Sequence, residues 1–561
     1  MGKGRMGNWR VWAGAVRGRL RPALASAREA VRTASTAAWT AAAPTAKKAG
    51  RRYAYAPTRW VAGIAAGTGL VLAVVSIAVA GPWQGGQRTS ERALAAGRGH
   101  VAGHPGGAAG SPAKPAGPSW QAPAAVLTPA GVTATAPTRS GLAGALTGPL
   151  ADRALGRVTA SVVDVADGST LYSSGADQPQ QPASTNKIAT ATAALALLGP
   201  DHRFTTKVVG DGHGGLVLVG GGDPTLTSSG GSGSDSLSAL AAATVQALNG
   251  PSATAATGGK ADAADAAATA STDAPATTGA PVSPSARPRV TYDISLFAGP
   301  ALHPIGVNGN IALVQALTAD EGRIDRQSTE DAPRYADPAA TAARTFVQAL
   351  NAAGLHVAGS GTPVQATAPV GAKVVAEVQS APLSEIVERM LTESDNDIAE
   401  ALGHACAIAA GRPATFAGGA DAVRATLTRL GVSLGATRLV DSSGLSGQDG
   451  IPARVLTQLL VLDASPAHPE LRAVLSGLPI AGFTGTLDNR YGGEGSAAGL
   501  GVVRAKTGSL STVNTLAGLV VDRSGRLLAF AFMSNGSADA TSARAALDRL
   551  AAKVATCGCA A

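Results

Sequence analysis

Alternation of apolar and polar positions begins near Gly156. The stretch RVTASVVDVADGSTLYSSGAD has a two-residue period and breaks at Asp167-Gly168, which predicts a β-hairpin. Residues 185–198 lose that period, are rich in alanine and leucine, and run into Gly199-Pro200; they predict a helix. FTTKVVGDGHGGLVLVGGGDP predicts two more strands up to a glycine turn. Residues 228–288 hold Gly, Ala, Ser, Thr, Asp and Pro with little hydrophobic pattern, and are expected to be a disordered insert. Order resumes at RPRVTYDISLF. Helices are expected at 339–353, 383–391, 397–410 and 421–430, with a strand at AKVVAEVQS. GVVRAKTGS, NTLAGLVVD and RLLAFAFMSN read as adjacent antiparallel strands, and SADATSARAALDRLAAKVA as a terminal helix. Strands flanked by helices predict an α/β protein in the form of an α+β sandwich.

The N-terminal region has another character. Residues 61–80 form a 20-residue run without charge or proline. As a helix it would span roughly 30 Å, the thickness of a bilayer core. Of the 46 Lys/Arg, 13 precede residue 60, with one acidic residue among 37; the rest of the chain holds 33 basic against 36 acidic residues. The net charge of +9 therefore belongs to a tail and not to the body. A basic tail before an apolar run, flanked by Trp60 and Trp83, fits the positive-inside rule better than a nucleic-acid surface. The expected organisation is a disordered cytoplasmic tail (1–59), a membrane helix (60–80) touching lipid through 61–80, and a stalk rich in Gly, Pro and Ala (81–150). The protein would be single-pass, with an extracytoplasmic body. Three cysteines exclude a disulfide framework and a cysteine-rich zinc protein. Eight scattered histidines show no metal-binding spacing.

Three short motifs carry candidate chemistry. Ser184-Thr185-Asn186-Lys187 opens the alanine-rich helix, so Ser184 and Lys187 share one face. A serine hydroxyl is a weak nucleophile without a base, and a desolvated lysine near another cation becomes one. The bland alternative is a capping serine beside a solvated lysine. Ser394-Asp395-Asn396 sits between two expected helices, where Ser394 would pass a proton and Asn396 hold an amide. Asp395 and Asp397 read as residues of a solvated turn or helix cap, and Asp223 as a turn cap. Lys506-Thr507-Gly508, followed by Ser509, ends an apolar strand. It offers positive potential, hydroxyls for a carboxylate and room along a strand edge; alone it reads as a strand entering a turn.

In the order SxxK, SxN, KTG the three are far more specific than singly. With QQPASTNKIATATAALALLG, LTESDNDIAEALG, VRAKTGSL, VGGGDPTL, YDISLFAGP and LVDSSGLSGQD around them, the chain resembles a known family. This is the low-molecular-mass penicillin-binding proteins of the D-alanyl-D-alanine carboxypeptidase/endopeptidase family with a large insert (DacB-like, serine peptidase family S13). The resemblance covers about 155–556. It implies the DD-peptidase/β-lactamase-like transpeptidase fold, with a discontinuous peptidase domain (151–204 and 375–561) and accessory domains inserted between (205–374). It implies a serine-type D-Ala-D-Ala carboxypeptidase that trims peptidoglycan stem peptides, with endopeptidase action by the same chemistry, and covalent inhibition by β-lactams. Ser184, Lys187, Ser394, Asn396 and Lys506 would be catalytic; Thr507, Gly508 and Ser509 would bind substrate; the backbone N–H groups of Ser184 and Ser509 would form the oxyanion hole. Asp441, Ser442 and Gly444 would be structural. No cofactor, metal or nucleic acid is implied. No counterpart of the deacylating glutamate motif of class A β-lactamases follows Asn396. The alanine, arginine and glycine load fits a high-GC, actinobacterial source.

Overall fold

The computed structural model describes residues 135–230, 235–250, 287–306, 308–328, 331–359 and 363–558. Its centre is an antiparallel sheet whose strand order is β10 (Arg504–Leu510), β11 (Val513–Val521), β12 (Leu527–Asn535), β1 (Arg157–Asp164) and β2 (Thr170–Ser174). Both faces are buried, and the two-residue period sorts side chains between them. Phe530, Phe532, Leu516 and Val520 face one layer; Ala529, Ala531, Met533, Ala517 and Leu519 face the other. The first layer holds the terminal helix α9 (Ala540–Thr556) with α1 (Arg139–Leu150). The second holds α2 (Asn186–Leu198), α5 (Leu383–Glu393), α6 (Asn396–Ala409), α7 (Phe416–Arg429) and α8 (Ala453–Asp463). Helix α2 is buried on every side from Asn186 to Leu195. A helix so enclosed must be apolar all round, and its alanines let the neighbours approach.

A second sheet carries the inserted region, in the order β7 (Val364–Gln365), β6 (Val290–Asp293), β5 (Leu216–Val219), β4 (Thr205–Gly210) and β8 (Val374–Gln379). β4 pairs antiparallel with β5 and β8, whereas β5–β6–β7 run parallel. Helices α3 (Leu237–Asn249) and α4 (Pro338–Ala352) pack on it through Leu240, Phe346 and Leu350. The short β3 (Pro179–Gln180) pairs with β9 (Ile451–Pro452).

Several expectations are corrected. Residues 228–288 are not structureless throughout. Ser236 caps α3 by accepting the Ala239 N–H at 3.1 Å, and Leu237, Leu240, Ala241 and Thr244 are buried. Residues 251–286 lie outside the described residues. Within 81–150, α1 is helical and docks through Leu142 and Leu146, one turn apart. Helix α7 starts at Phe416 rather than at 421 and so takes in Gly418 and Gly419. Those glycines mark a close crossing, since a Cβ at Gly419 would lie 2.8 Å from Gly403 O. The single-pass anchor, its lipid contact and the membrane location built on it are withdrawn. Among the described residues no helix is long and apolar enough to cross a membrane, and residues 1–134, including the 61–80 run, lie outside them.

Candidate active site

Ser184 sits in a single 3₁₀ turn, Ala183–Thr185, that leads into α2. The turn is strained: Ala183 has φ 47°. It is held by its neighbours. Thr515 Oγ1 on β11 donates to Pro182 O at 2.7 Å, as does Thr185 Oγ1. Gly444 must lack a side chain, because a Cβ there would lie 1.9 Å from Ala183 O.

Second in α2 and one turn beyond Ser184, Lys187 is fully buried. Its Nζ donates to Ser184 Oγ (3.0 Å), Asn396 Oδ1 (2.7 Å) and Ser443 O (2.9 Å). Burial pushes its pKa down to about 8, against the pull of Asp441, Asp395, Glu400 and Asp397. The lysine is therefore poised to exist in part as the neutral amine near neutral pH.

Ser394 ends α5 in the left-handed region (φ 62°, ψ 31°), and Asp395 caps α6 by accepting the Ile398 N–H at 2.9 Å. This sharp joint turns Asn396 toward Lys187. Asn396 Nδ2 also donates to Asn310 O of the insert at 2.9 Å. Ser394 is half-buried, and its Oγ makes no hydrogen bond to a described residue. The flanking acids are not solvated, which corrects that part of their reading. Asp395 accepts from Arg323 Nη2 at 2.6 Å, and Asp397 from Arg334 Nη2 at 3.0 Å and Ala312 N at 2.8 Å. Asp223 does cap its turn, accepting the Thr225 N–H at 2.8 Å.

Strand β10 brings in the third motif. Lys506 is buried and donates to Thr507 O at 3.0 Å; burial, then the nearby charge of Lys187, hold its pKa well below the usual lysine value. Thr507 Oγ1 donates to Thr486 Oγ1 at 2.8 Å. Gly508 runs against the Ser184 turn: a Cβ there would meet Thr515 Oγ1 at 2.1 Å and Pro182 O at 2.6 Å. Ser509 is exposed at the sheet edge. A half-buried serine bonded to a buried lysine, an amide-bearing loop and an open strand edge thus converge at one place.

The profile of the D-Ala-D-Ala carboxypeptidase 3 (S13) family matches residues 142–249 and 321–554. The chain belongs to this family. Carboxypeptidase DacB of Mycolicibacterium smegmatis is 37% identical over 441 residues, covering 77% of this chain and 88% of that protein. A carboxypeptidase of Mycobacterium tuberculosis is 37% identical over 442 residues, covering 77% and 87%. The D-alanyl-D-alanine carboxypeptidase of Actinomadura sp. (strain R39) is 31% identical over 431 residues, covering 67% and 77%. The crystal structure of penicillin binding protein 4 (dacB) from Haemophilus influenzae shares the fold at a TM-score of 0.54 and 20% identity, covering 73% of this chain and 97% of that one. The fold and activity expected from the motifs stand: this S13 protein is a serine-type D-Ala-D-Ala carboxypeptidase that acts on peptidoglycan and binds penicillin.

The structure adds residues to this S13 site that sequence reasoning missed or left as structural. Asp441 folds the 441–446 loop by accepting the Gly444 N–H at 2.6 Å and the Ser446 N–H at 2.7 Å. Glu400 Oε1 accepts the N–H groups of Ser442 (3.1 Å) and Ser443 (2.8 Å). That loop presents the Ser443 carbonyl to Lys187. The DSSGLS signature was visible, but a carbonyl oxygen carries no side-chain signal. Arg323 and Arg334 come from the insert and lie far from Asp395 and Asp397 in sequence.

Proposed function

We propose that Ser184 is the nucleophile of this carboxypeptidase and Lys187 its base. The observation that carries this is the 3.0 Å contact between Lys187 Nζ and Ser184 Oγ, with the lysine pKa pushed down to about 8. In the productive state Nζ is neutral and takes the hydroxyl proton as Oγ bonds to the carbonyl of the penultimate D-alanine. The backbone N–H groups of Ser184 and Ser509 stabilise the oxyanion. When the tetrahedral intermediate collapses, the C–N bond breaks and Ser394, in the field of Lys506, relays the proton held by Lys187 to the leaving amine of the terminal D-alanine. Water then attacks the ester: its hydroxyl stays on the released acid, and its other proton passes through Lys187 to Ser184 Oγ as the C–Oγ bond breaks.

Thr507 and Ser509 hydroxyls hold the terminal carboxylate, and Lys506 supplies positive potential. Gly508 leaves room for the peptide along the strand edge. Asn396 orients both Lys187, through Oδ1, and the acyl-side amide. A β-lactam presents the same carboxylate and carbonyl and leaves an ester on Ser184.

The test is release of D-alanine from an acyl-D-Ala-D-Ala peptide, with fluorescent-penicillin labelling in parallel. Loss of a nucleophile costs about 10⁶-fold in other serine hydrolases, so Ser184→Ala should show neither release nor label. Equal release by the two proteins would reject Ser184 as nucleophile.

A further inference from the structure

The inserted region reaches the surroundings of the catalytic lysine from behind. His303, between β6 and α4, is 1% exposed. Its Nε2 lies 3.2 Å from Asp441 Oδ2 and 3.7 Å from Glu400 Oε1, and all three residues are buried. An imidazole and two carboxylates so placed share either a metal ion or a proton. The other ring nitrogen decides between them. His303 Nδ1 accepts the Ile305 N–H at 3.3 Å, so in the neutral ring the proton is on Nε2, which lies beside both carboxylates without closing a hydrogen bond to either. A metal there would need that nitrogen's lone pair. Phe416 packs edge-on against the ring at 5.0 Å and holds its orientation.

We propose that His303 is a positioning residue for the Ser184–Lys187 pair: its Nε2–H is the polar group that the insert sets beside Glu400 and Asp441, and it lets them hold the 441–446 loop against Lys187. The chain of contacts is continuous. Asp441 and Glu400 together accept four backbone N–H groups of that loop, at 2.6–3.1 Å. The loop returns the Ser443 carbonyl to Lys187 Nζ at 2.9 Å and the Asp441 carbonyl to Asn186 Nδ2 at 3.2 Å. Two buried carboxylates this close repel. Burial and Asp441 push Glu400 up to about 7. Asp449, beside Asp441, is pushed up to about 9, so it is neutral and adds no third charge at neutral pH. The groups that bear on Lys187 are Asp441, Asp395, Glu400 and Asp397, which hold its proton; the charge of Lys187 in turn pushes Lys506 down.

Removing the donor has two consequences. Glu400 takes up a proton at higher pH, and protonated it holds the loop less firmly. Its charge then no longer helps to keep Lys187 protonated, so the lysine loses its proton at lower pH. The rate plateau should fall while the acidic limb of the pH profile moves to lower pH. A structural defect lowers the rate at every pH and leaves the limb in place. This rests on Lys187 being the base, which Lys187→Met tests separately: if that variant acylates normally, the base assignment fails and not the His303 linkage.

The experiment measures acylation of the full chain by fluorescent penicillin across the pH range, for wild type, His303→Leu and His303→Gln. The glutamine amide nitrogen stands where Nε2 stands and keeps a donor without the ring. Leucine should lower the plateau about tenfold, the size seen when an outer partner of a functional group is removed, with the limb shifted down. Glutamine should restore the plateau. The proposal fails if leucine keeps the wild-type profile, if its limb stays or moves up, or if glutamine does not rescue. It also fails if chelator treatment of wild type reproduces the leucine profile, since the cluster would then be a metal site. Melting curves of both variants separate loss of fold from loss of positioning.

Discussion

Adding one methyl group at Gly508 should uncouple the third motif from the nucleophile. The Cβ would lie 2.1 Å from Thr515 Oγ1, 2.6 Å from Pro182 O and 3.0 Å from Ala183 Cβ, where ordinary contact is 3.4–4 Å. Thr515 cannot simply rotate away, because its hydroxyl is bonded to the same Pro182 carbonyl at 2.7 Å. Relief therefore needs β10 to retreat from the Ser184 turn by about 1 Å. Overpacking of this kind costs roughly 1–3 kcal/mol, which a domain of typical stability, about 5–15 kcal/mol, survives. Function should suffer more. The Ser509 N–H belongs to the retreating strand and the Ser184 N–H to the turn, so the two oxyanion donors move apart. A displacement of about 1 Å at a reacting centre costs about 100-fold. The assay is the acylation rate with fluorescent penicillin, beside a melting curve. Gly447→Ala is the control, its nearest contact being the Gln181 side chain at 3.6 Å. Acylation of Gly508→Ala within about threefold of wild type, under about 0.7 kcal/mol of barrier, would refute the reasoning.

Further outcomes follow from the buried charges. With Lys187 at about 8 and the neutral amine as base, acylation should rise with pH and reach half its plateau near that value; a profile flat from acidic to alkaline pH would contradict the base assignment. Arg323→Ala should cost about 3–5 kcal/mol in denaturant unfolding, the range for breaking a buried ion pair, because it strands Asp395, 2.6 Å from the guanidinium, whereas Glu321 keeps Arg389 at 2.6 Å. The same variant should slow acylation, since Asp395 caps the helix that carries Asn396.

How much was legible depended on where the signal lay. The alternation in RLLAFAFMSN predicted a strand, and its two residue sets do face two layers. SxxK, SxN and KTG were readable because each motif joins chemical residue types within a few positions. Helix α3 was missed because its buried anchors, Leu237, Leu240, Ala241 and Thr244, are few and lie among alanines. Helix α1 was missed for the same reason, with only Leu142 and Leu146 buried. The apolar run at 61–80 was read as an anchor from its hydropathy, the basic tail before it and its flanking tryptophans, and the described residues contain no membrane-spanning helix to support an anchor. The residues that clamp the SxN loop escaped notice because arginines in an insert look like surface charge until their carboxylates are seen.

By itself, the sequence determined which residue types are available for acyl transfer and in what order they occur. It determined the local structure where periodicity was strong: α2, the three C-terminal strands and the terminal helix. Only the tertiary structure decided that Lys187 is held near a pKa of 8. That value depends on burial of α2 on all sides and on four carboxylates, Asp441, Asp395, Glu400 and Asp397, all distant in sequence. Desolvation and long-range charge are properties of the assembled volume, and no local window of residues contains them.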